Sequence, residues 1–268
     1  MGLFTTGAFG TQDGSTYGVR NPYNKEIFNR TAVGPSVSDR IAASPLVMWF
    51  DVSDRTTALG ADKLTPAADF NSVYRLLDKS GNDHHLDNVG TGPSVNPHAY
   101  GGESIAGLIF ETNYSLKSLD AFTWGFPNTY YFVMGADNWY SGNVFFSSGY
   151  NTEFPLLRQY WDGTSPEFNF RASNNSPVIN NLPLQTPGVV SIMHTGDENS
   201  TFRLNSDAEF VGNWGTSTGQ GFMFHGNYVG NYDASRMFVH EFLLYDEVHD
   251  LAMRNMITQN LMTKWGIS

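Results

Sequence analysis

The sequence has no cysteine, few charged residues and no long apolar run. Disulfides and thiolate metal sites are therefore excluded. Charged residues make up 15% of the 268, and the excess of acidic residues gives a net charge of −11. Phosphate groups are bound by clustered lysine and arginine, and no such cluster is present, so we expect neither a nucleic-acid partner nor a membrane partner. No apolar stretch approaches the roughly 20 residues of a membrane-spanning helix.

Residues 1–44 differ in composition from the rest of the chain. They are rich in Gly, Thr, Asn and Ser, and they show neither strand alternation nor helical spacing. Four basic and three acidic residues give this segment a net charge of +1, which leaves −12 on residues 45–268. A purely solvated tail carries few aromatic residues, so we predict an extended arm that docks on a partner. The docking residues of the arm would be Phe4, Phe9, Tyr17, Tyr23 and Phe28.

Residues 45–268 have the pattern of many short strands. The whole chain has 20 Phe and 13 Tyr, which suit the half-buried surface of strands, and 27 Gly and 12 Pro, which supply turns. Strands are predicted at residues 46–51, 73–77, 85–89, 104–111, 114–119, 129–134, 143–148, 154–160, 167–171, 188–194, 201–205, 221–225 and 237–245. The strands at 104–111 and 114–119 are expected to pair around Thr112-Asn113. Short strands with turn residues between them indicate an all-β fold, a two-sheet antiparallel jelly-roll sandwich.

The C-terminal segment has a different period. Helical spacing places one apolar stripe on residues 250–264 and the tryptophan that follows them. The stripe consists of Met253, Met256, Ile257, Leu261 and Trp265. Gly266 then provides a stop signal. We predict an amphipathic helix that packs on the sandwich.

Four segments in this order resemble the concanavalin A-like lectin/glucanase superfamily, in its LamG-like jelly-roll branch. They are residues 49–54 (WFDVSD), the turn at 78–82 (DKSGN), the strands at 188–194 and 202–205, and the strand at 238–246 with the helix that ends in Lys264-Trp265-Gly266-Ile267. The resemblance covers residues 45–268. It implies a lectin-like sandwich of a kind found in phage particles and in secreted adhesion or polysaccharide-binding proteins.

Catalytic signatures are missing from the sequence. Glucanases that resemble this chain carry Glu-x-Asp-x-x-Glu on one strand, and retaining hydrolysis needs two carboxylates about 5–5.5 Å apart. No Glu-x-Asp occurs in the chain, and no nucleophile or phosphate-loop motif is present. We therefore expect that the protein is not an enzyme.

Two kinds of binding site are candidates. Calcium is the one candidate cofactor, with Asp51, Asp54, Asp78 and Asp83 as ligands if their loops converge. The favoured alternative is that Asp78 and Asn82 make turn hydrogen bonds. A glycan could be bound by aromatic and polar residues in turn-like segments, namely Trp139, Tyr140, Trp161, Asp162, Trp214, Tyr228 and Tyr232. The favoured alternative for these aromatic residues is a subunit interface.

The main functional hypothesis is a non-enzymatic phage virion structural protein, either a capsid decoration protein or a tail or fibre component. The first ten residues lack the basic and apolar regions of a secretory signal. We therefore expect assembly in the host cytoplasm, contacts with capsid or tail proteins through the arm, and a homo-oligomer. The alternative is a carbohydrate-binding module or adhesin for cell-surface polysaccharide, which would be secreted. A divergent glycosidase is the third hypothesis.

Overall fold

The structure is a computed structural model. It describes residues 45–69, 71–89, 93–100, 103–111, 114–136, 144–150, 154–161, 166–173, 179–180, 182–225 and 236–268. The strands are β1 (Leu46–Asp51), β2 (Ala58–Leu59), β3 (Arg75–Leu76), β4 (Leu86–Asn88), β5 (Ser94–Tyr100), β6 (Glu103–Phe110), β7 (Leu116–Ser118), β8 (Thr123–Trp124), β9 (Asn128–Ala136), β10 (Val144–Ser147), β11 (Leu156–Trp161), β12 (Pro166–Arg171), β13 (Ile179–Asn180), β14 (Gly188–His194), β15 (Ser200–Leu204), β16 (Phe210–Gly212), β17 (Gly219–Gln220), β18 (Met223–Phe224) and β19 (Met237–Tyr245). The helix is α1 (Leu251–Trp265).

The strands form two large sheets, and their pairing is antiparallel throughout. The first sheet has the order β16-β15-β14-β9-β19-β6-β5, with β1 also paired to β19. The second sheet has the order β13-β12-β11-β10-β18-β7-β4-β3-β2. Strands β8 and β17 form a separate pair. The all-β, two-sheet antiparallel sandwich with a C-terminal helix is thereby confirmed.

Phenylalanine rings fill the space between the sheets. Phe132 on β9 lies 5.7 Å from Phe224 on β18, measured between ring centroids. Phe242 on β19 lies 5.4 Å from Phe146 on β10 and 4.7 Å from Phe222. Such aromatic pairs contribute about 0.5–1.5 kcal/mol each beyond the burial of their area. The aromatic-rich composition thus supplies the core that joins the two sheets.

Strands β9, β14 and β19 of the first sheet are buried on both faces. On β9, Tyr130 and Phe132 point into the core between the sheets, whereas Tyr131 and Val133 pack under α1. Side chains alternate between the faces of a strand. A strand covered on both sides is therefore apolar at nearly every position, which explains its uninterrupted apolar run.

Helix α1 lies on the outer face of the first sheet and is capped at both ends. The carboxylate of Asp250 accepts a hydrogen bond from the Met253 backbone N–H at 2.7 Å. Gly266 ends the helix with φ 66°, in the left-handed region. Ile257, Leu261 and the other buried members of the stripe pack on the sheet. The predicted helix is thus confirmed, and its stripe is part of a second hydrophobic core. No helix among the described residues is long and apolar enough to cross a membrane.

One predicted pairing is wrong. β6 pairs with β5 and β19 in the first sheet, whereas β7 pairs with β4 and β18 in the second sheet. The chain therefore changes sheets between these strands instead of forming a hairpin around Thr112-Asn113, which lie outside the described residues. A turn signal does not specify the sheet that the next strand joins. Strand β5 was missed because Pro97 interrupts its pattern, and proline is tolerated on edge strands such as this one.

Candidate functional site: the outer face of the second sheet

The structure does not bring the four aspartates predicted as calcium ligands together into one group. Asp51 lies 2.9 Å from the Lys264 ammonium, and Asp54 lies 3.1 Å from that of Lys79. Asp78 accepts hydrogen bonds from the backbone N–H groups of Trp49 and Ser80, each at 2.9 Å. The Asp83 side chain is 90% exposed. In the described part of the chain, no group of three or more His, Asp or Glu side chains is placed to hold a metal ion. The turn hydrogen bonds of Asp78 correspond to the favoured alternative.

Three of the four sequence segments that carry the family resemblance meet around Glu241, which is 1% exposed. Glu241 accepts hydrogen bonds from Trp49 Nε1 at 2.9 Å, from Trp265 Nε1 at 2.7 Å and from Lys264 Nζ at 2.7 Å. Lys264 also pairs with Asp51. We call Trp49, Asp51, Lys79, Glu241, Lys264 and Trp265 the Glu241 cluster. It joins the turn at 78–82, strand β1, strand β19 and the end of α1.

Charge compensation in the Glu241 cluster shifts several pKa values. Burial alone raises the pKa of Asp51, but Lys264 and Lys79 outweigh it and hold that pKa below its usual range. Burial raises the pKa of Glu241 despite the neighbouring Lys264. The pKa of Lys264 is raised because Glu241 and Asp51 outweigh the effect of its burial. Each of these charged groups forms an ion pair with another member of the cluster. The cluster therefore anchors the end of the helix to the first sheet.

A register shift turns Glu241 toward the helix. The pairing of β19 with β9 skips one residue between Val239 and Glu241. The His240 ring lies 5.1 Å from the Trp265 ring, and Glu241 bonds the same Trp265. Bulges of this kind re-aim side chains. Sequence analysis missed the role of Glu241, although a carboxylate within a run of apolar strand residues signals a buried partner.

The predicted glycan-binding aromatic residues are placed as follows. Trp214 is only 1% exposed, and its ring lies 5.7 Å from Phe170 in the core. It therefore lacks the exposed ring face that stacking on a sugar requires. Trp161 is the last residue of β11, and its side chain is not among those that the structure describes. The other predicted glycan-binding residues (Trp139, Tyr140, Asp162, Tyr228 and Tyr232) and the arm residues (Phe4, Phe9, Tyr17, Tyr23 and Phe28) lie outside the described residues.

The outer face of the second sheet carries a line of side chains that crosses seven strands. These residues are direct cross-strand neighbours: Arg75, Asp87, Lys117, Met223, Ser147, Leu156 and Arg171. We call them the cross-strand row. Most of their chain neighbours belong to the core, namely Leu76, Leu86, Leu116, Phe224, Phe146, Leu157 and Phe170. Because successive side chains alternate between faces, the row points away from the core.

The cross-strand row has three buried residues in its middle and a partly exposed cation on each side of them. Met223, Ser147 and Leu156 are 3% exposed or less, whereas Lys117 and Arg171 are partly exposed. Lys117 and Arg171 are four strand spacings apart, or roughly 19 Å at about 4.8 Å per spacing. Helix α1 covers the other sheet. The row thus has a partly exposed cation at each end and three buried residues between them.

An aromatic ring accompanies the cation at each end of this span. Lys117 Nζ lies 3.8 Å from the centroid of the Tyr150 ring, and Arg171 Cζ lies 4.8 Å from that of Phe154. The Tyr150 hydroxyl donates to the carbonyl of Ser118 at 2.8 Å, which fixes the ring in place. Both rings are partly exposed. Each cation lies over one face of its ring, so a sugar ring, which has an apolar face and a polar rim, would stack on the opposite face and reach the cation at the ring's edge.

A stacked histidine extends the Tyr150 end of the surface. The His84 ring stacks on Phe122 with 3.6 Å between centroids, and its Nδ1 lies 2.8 Å from the Asp120 carboxylate. Burial and the charge of Asp120 together raise the pKa of Tyr150. His84, Asp120 and Phe122 thus add polar and aromatic groups beside the first aromatic–cation pair.

The described carboxylates of this face are not spaced for sugar hydrolysis. Asp87 accepts hydrogen bonds from Arg75 at 2.6 Å and from Lys63 at 2.6 Å. Glu167 lies on β12, five strand spacings from the strand of Asp87, which is roughly 24 Å across the sheet. Glycosidase carboxylates lie about 5–9.5 Å apart. These two residues therefore do not form a catalytic pair.

Comparison with known proteins identifies the fold. No protein-family model and no curated protein matches the sequence. Among solved structures, a family GH54 α-L-arabinofuranosidase matches with a TM-score of 0.62 at 11% identity, over 86% of this chain and 66% of that one. Domain 4 of AbnA, an extracellular GH43 arabinanase from Geobacillus stearothermophilus, in complex with arabinotriose, matches with a TM-score of 0.57 at 10% identity, over 81% of this chain and 99% of that one. The botulinum neurotoxin serotype D ligand-binding domain, in complex with N-acetylneuraminic acid, matches with a TM-score of 0.57 at 11% identity, over 86% and 56%.

These comparisons correct one expectation. Identities near 11% show the fold alone, and that fold occurs in glycoside hydrolases and in binding domains at similar TM-scores. The chain spans just under two thirds of the arabinofuranosidase. We inferred from the fold and the missing motifs that the protein is not an enzyme. That prediction is wrong, because the first structural neighbours with this fold are enzymes. The lectin-like β-sandwich implied by the resemblance agrees with these neighbours.

Proposed function

We propose that the chain is a carbohydrate-binding domain that holds a polysaccharide on the outer face of its second sheet. The observation that carries the proposal is the pair of aromatic–cation sites, Lys117 with Tyr150 and Arg171 with Phe154, at the two ends of the roughly 19 Å span. Each site joins a flat apolar surface to a hydrogen-bond donor. A span of this length suits a ligand of several sugar rings, and a single sugar would not reach both ends.

The neighbours support this proposal. The arabinanase domain was solved with arabinotriose, and the match covers 99% of that domain, so the likeness is between whole domains. The neurotoxin domain was solved with N-acetylneuraminic acid. Sandwiches of this fold thus hold sugars without the rest of a hydrolase. The sugar identity must come from the site itself.

A glycan screen with ring-deleted variants tests the proposal. The wild type should bind one class of polysaccharide, and Phe154→Ala and Tyr150→Ala should each weaken that binding about tenfold, which corresponds to roughly 1.4 kcal/mol. Tyr150→Phe keeps the ring and should bind nearly as well as the wild type. Phe210→Ala removes a ring that is 45% exposed on the first sheet, and it should have no effect.

Thermal melting of each variant would separate loss of binding from loss of folding. Equal binding by all variants would place the site elsewhere, and the absence of binding across a broad panel at millimolar concentration would reject the proposal. Release of reducing ends from a bound polysaccharide would show that the chain also hydrolyses it.

The placement in a virus particle remains a prediction, and the neighbours do not support it. It rests on the composition of residues 1–44 and on the resemblance. Mass spectrometry of purified particles from the source, with a variant lacking residues 1–44, would test it. The chain should be present in the particles, and the shortened chain should be lost from them.

A further inference from the structure

The second sheet's outer face has a charge opposite to that of the protein. Its described strand residues, together with Lys63 and Asp120 from the adjoining loops, include five basic side chains and three acidic ones, a local excess of 2 positive charges. These are Lys63, Arg75, Lys117, Arg158 and Arg171 against Asp87, Asp120 and Glu167. The whole chain carries −11. One third of its 15 basic residues are therefore on this face.

Ion pairs account for only part of this positive charge. Lys63 and Arg75 both pair with Asp87. By contrast, neither Lys117 nor Arg171 has a carboxylate within ion-pair distance among the described residues. Their neighbours are rings, Tyr150 and Phe154. Partial burial lowers the pKa of Lys117, as expected for a cation that lacks an anionic partner.

We propose that the ligand of this face is an acidic glycan, a chain of sugars that carry carboxylate groups, bound by Lys117 and Arg171. This inference rests on the proposed carbohydrate-binding function. A guanidinium matches a carboxylate in two parallel hydrogen bonds, and an ammonium adds a point charge. Each sugar carboxylate would meet a cation whose adjacent ring packs against the sugar's apolar face. The acidic remainder of the protein repels the same polymer, which confines binding to this face.

Binding to oligogalacturonate, compared with the same oligomers after reduction of their carboxyl groups, tests the charge. Sialylated oligosaccharides and their desialylated forms provide a second matched pair. The acidic member of at least one pair should bind tenfold or more tightly than its neutral counterpart, measured by titration calorimetry. Affinity should fall as the salt concentration rises, because the interaction between exposed charges is screened.

Charge-removing variants locate the site. Lys117→Met and Arg171→Met keep the apolar stems, so each should reduce binding of the acidic glycan about tenfold, while Lys117→Arg should retain it. Arg236→Met removes the same charge from a residue that pairs with Glu111, away from this face, and serves as the control. If the control weakens binding as much as Lys117→Met does, net charge and not this face explains the affinity, and the inference is overturned.

The two proposals fail in different ways. If the neutral and acidic oligomers bind within twofold of each other and Phe154→Ala still abolishes binding, the face is a glycan site and the charge inference is wrong. If no acidic or neutral glycan binds, the carbohydrate-binding proposal fails together with this one. If acidic glycans bind equally well to the double variant of Lys117 and Arg171, the ligand lies on another surface.

Discussion

Glu241 holds the end of α1 on the first sheet, so its removal should destabilise the protein strongly. Replacement by leucine leaves Trp265 Nε1, a buried donor, without its acceptor and removes one of two carboxylates from the Lys264 ammonium. An unsatisfied buried N–H costs about 1–3 kcal/mol. Breaking one partner of a buried ion pair costs about 3–5 kcal/mol. Asp51 remains beside Lys264, so we expect the total loss to be about 3–4 kcal/mol.

Urea denaturation followed by tryptophan fluorescence would measure this loss, because Trp49 and Trp265 both contact Glu241. Glu241→Gln keeps an acceptor and should lose less than Glu241→Leu. The control is Glu111→Gln, which breaks an ion pair with Arg236 between side chains that are 45% and 39% exposed and should cost less than about 1 kcal/mol.

The double variant of Glu241→Leu with Lys264→Met sharpens the test. It removes the ammonium together with one of its carboxylates, so its loss should be smaller than the sum of the two single losses. A Glu241→Leu variant that loses less than about 1 kcal/mol would refute the anchoring role. Simple additivity in the double variant would show that the two groups do not interact as described.

Three further predictions concern single residues. The pKa of Asp87 is lowered because Arg75 and Lys63 outweigh the effect of burial. Its stabilising contribution is therefore complete above the unfolded pKa of about 3.9 and is lost as the pH falls through the lower folded pKa. Asp87→Asn should flatten the fall in stability below about pH 4, and an unchanged slope in acid unfolding would contradict this. Asp250→Ala removes the N-cap acceptor of α1 and should cost about 1 kcal/mol in urea unfolding, which Asp250→Ser should largely restore. Gly266→Ala places a side chain at φ 66° and should cost about 1–2 kcal/mol, and an unaltered melting temperature would contradict the left-handed C-terminal cap.

The sequence predicted the elements that are long and strongly patterned. Strands β1, β14 and β19 have the bounds that their apolar runs indicate. Helix α1 ends at Trp265, directly before the predicted stop at Gly266. The sequence did not predict which sheet each strand joins, as the separation of β6 from β7 shows. Sheet membership is decided by packing across the core, and neighbouring turn residues carry little information about it.

The candidate site depends on which residues of neighbouring strands are paired, and the sequence does not show this pairing. Lys117 and Arg171 are 54 residues apart in the chain, and the row between them passes through Met223 before returning to Ser147. No local spacing rule connects such residues. The aromatic residues selected from turn-like segments were chosen by composition, and Trp214, the one whose side chain is described, is a core residue.

The recognisable motifs and the candidate site lie on opposite faces for one physical reason. A sheet with an apolar outer face must be covered, and α1 covers the first sheet and is held there by the Glu241 cluster, whose residues come from three of the four segments of the family resemblance. Those residues are strongly patterned because a buried charge needs particular partners. On the outer face of the second sheet no described helix lies above the row, and its partly exposed side chains, Arg75, Lys117 and Arg171, are less constrained by packing than the buried residues between them. We therefore expect relatives of this fold to share the Glu241 cluster and to differ at Lys117 and Arg171 according to the charge of the glycan that they bind.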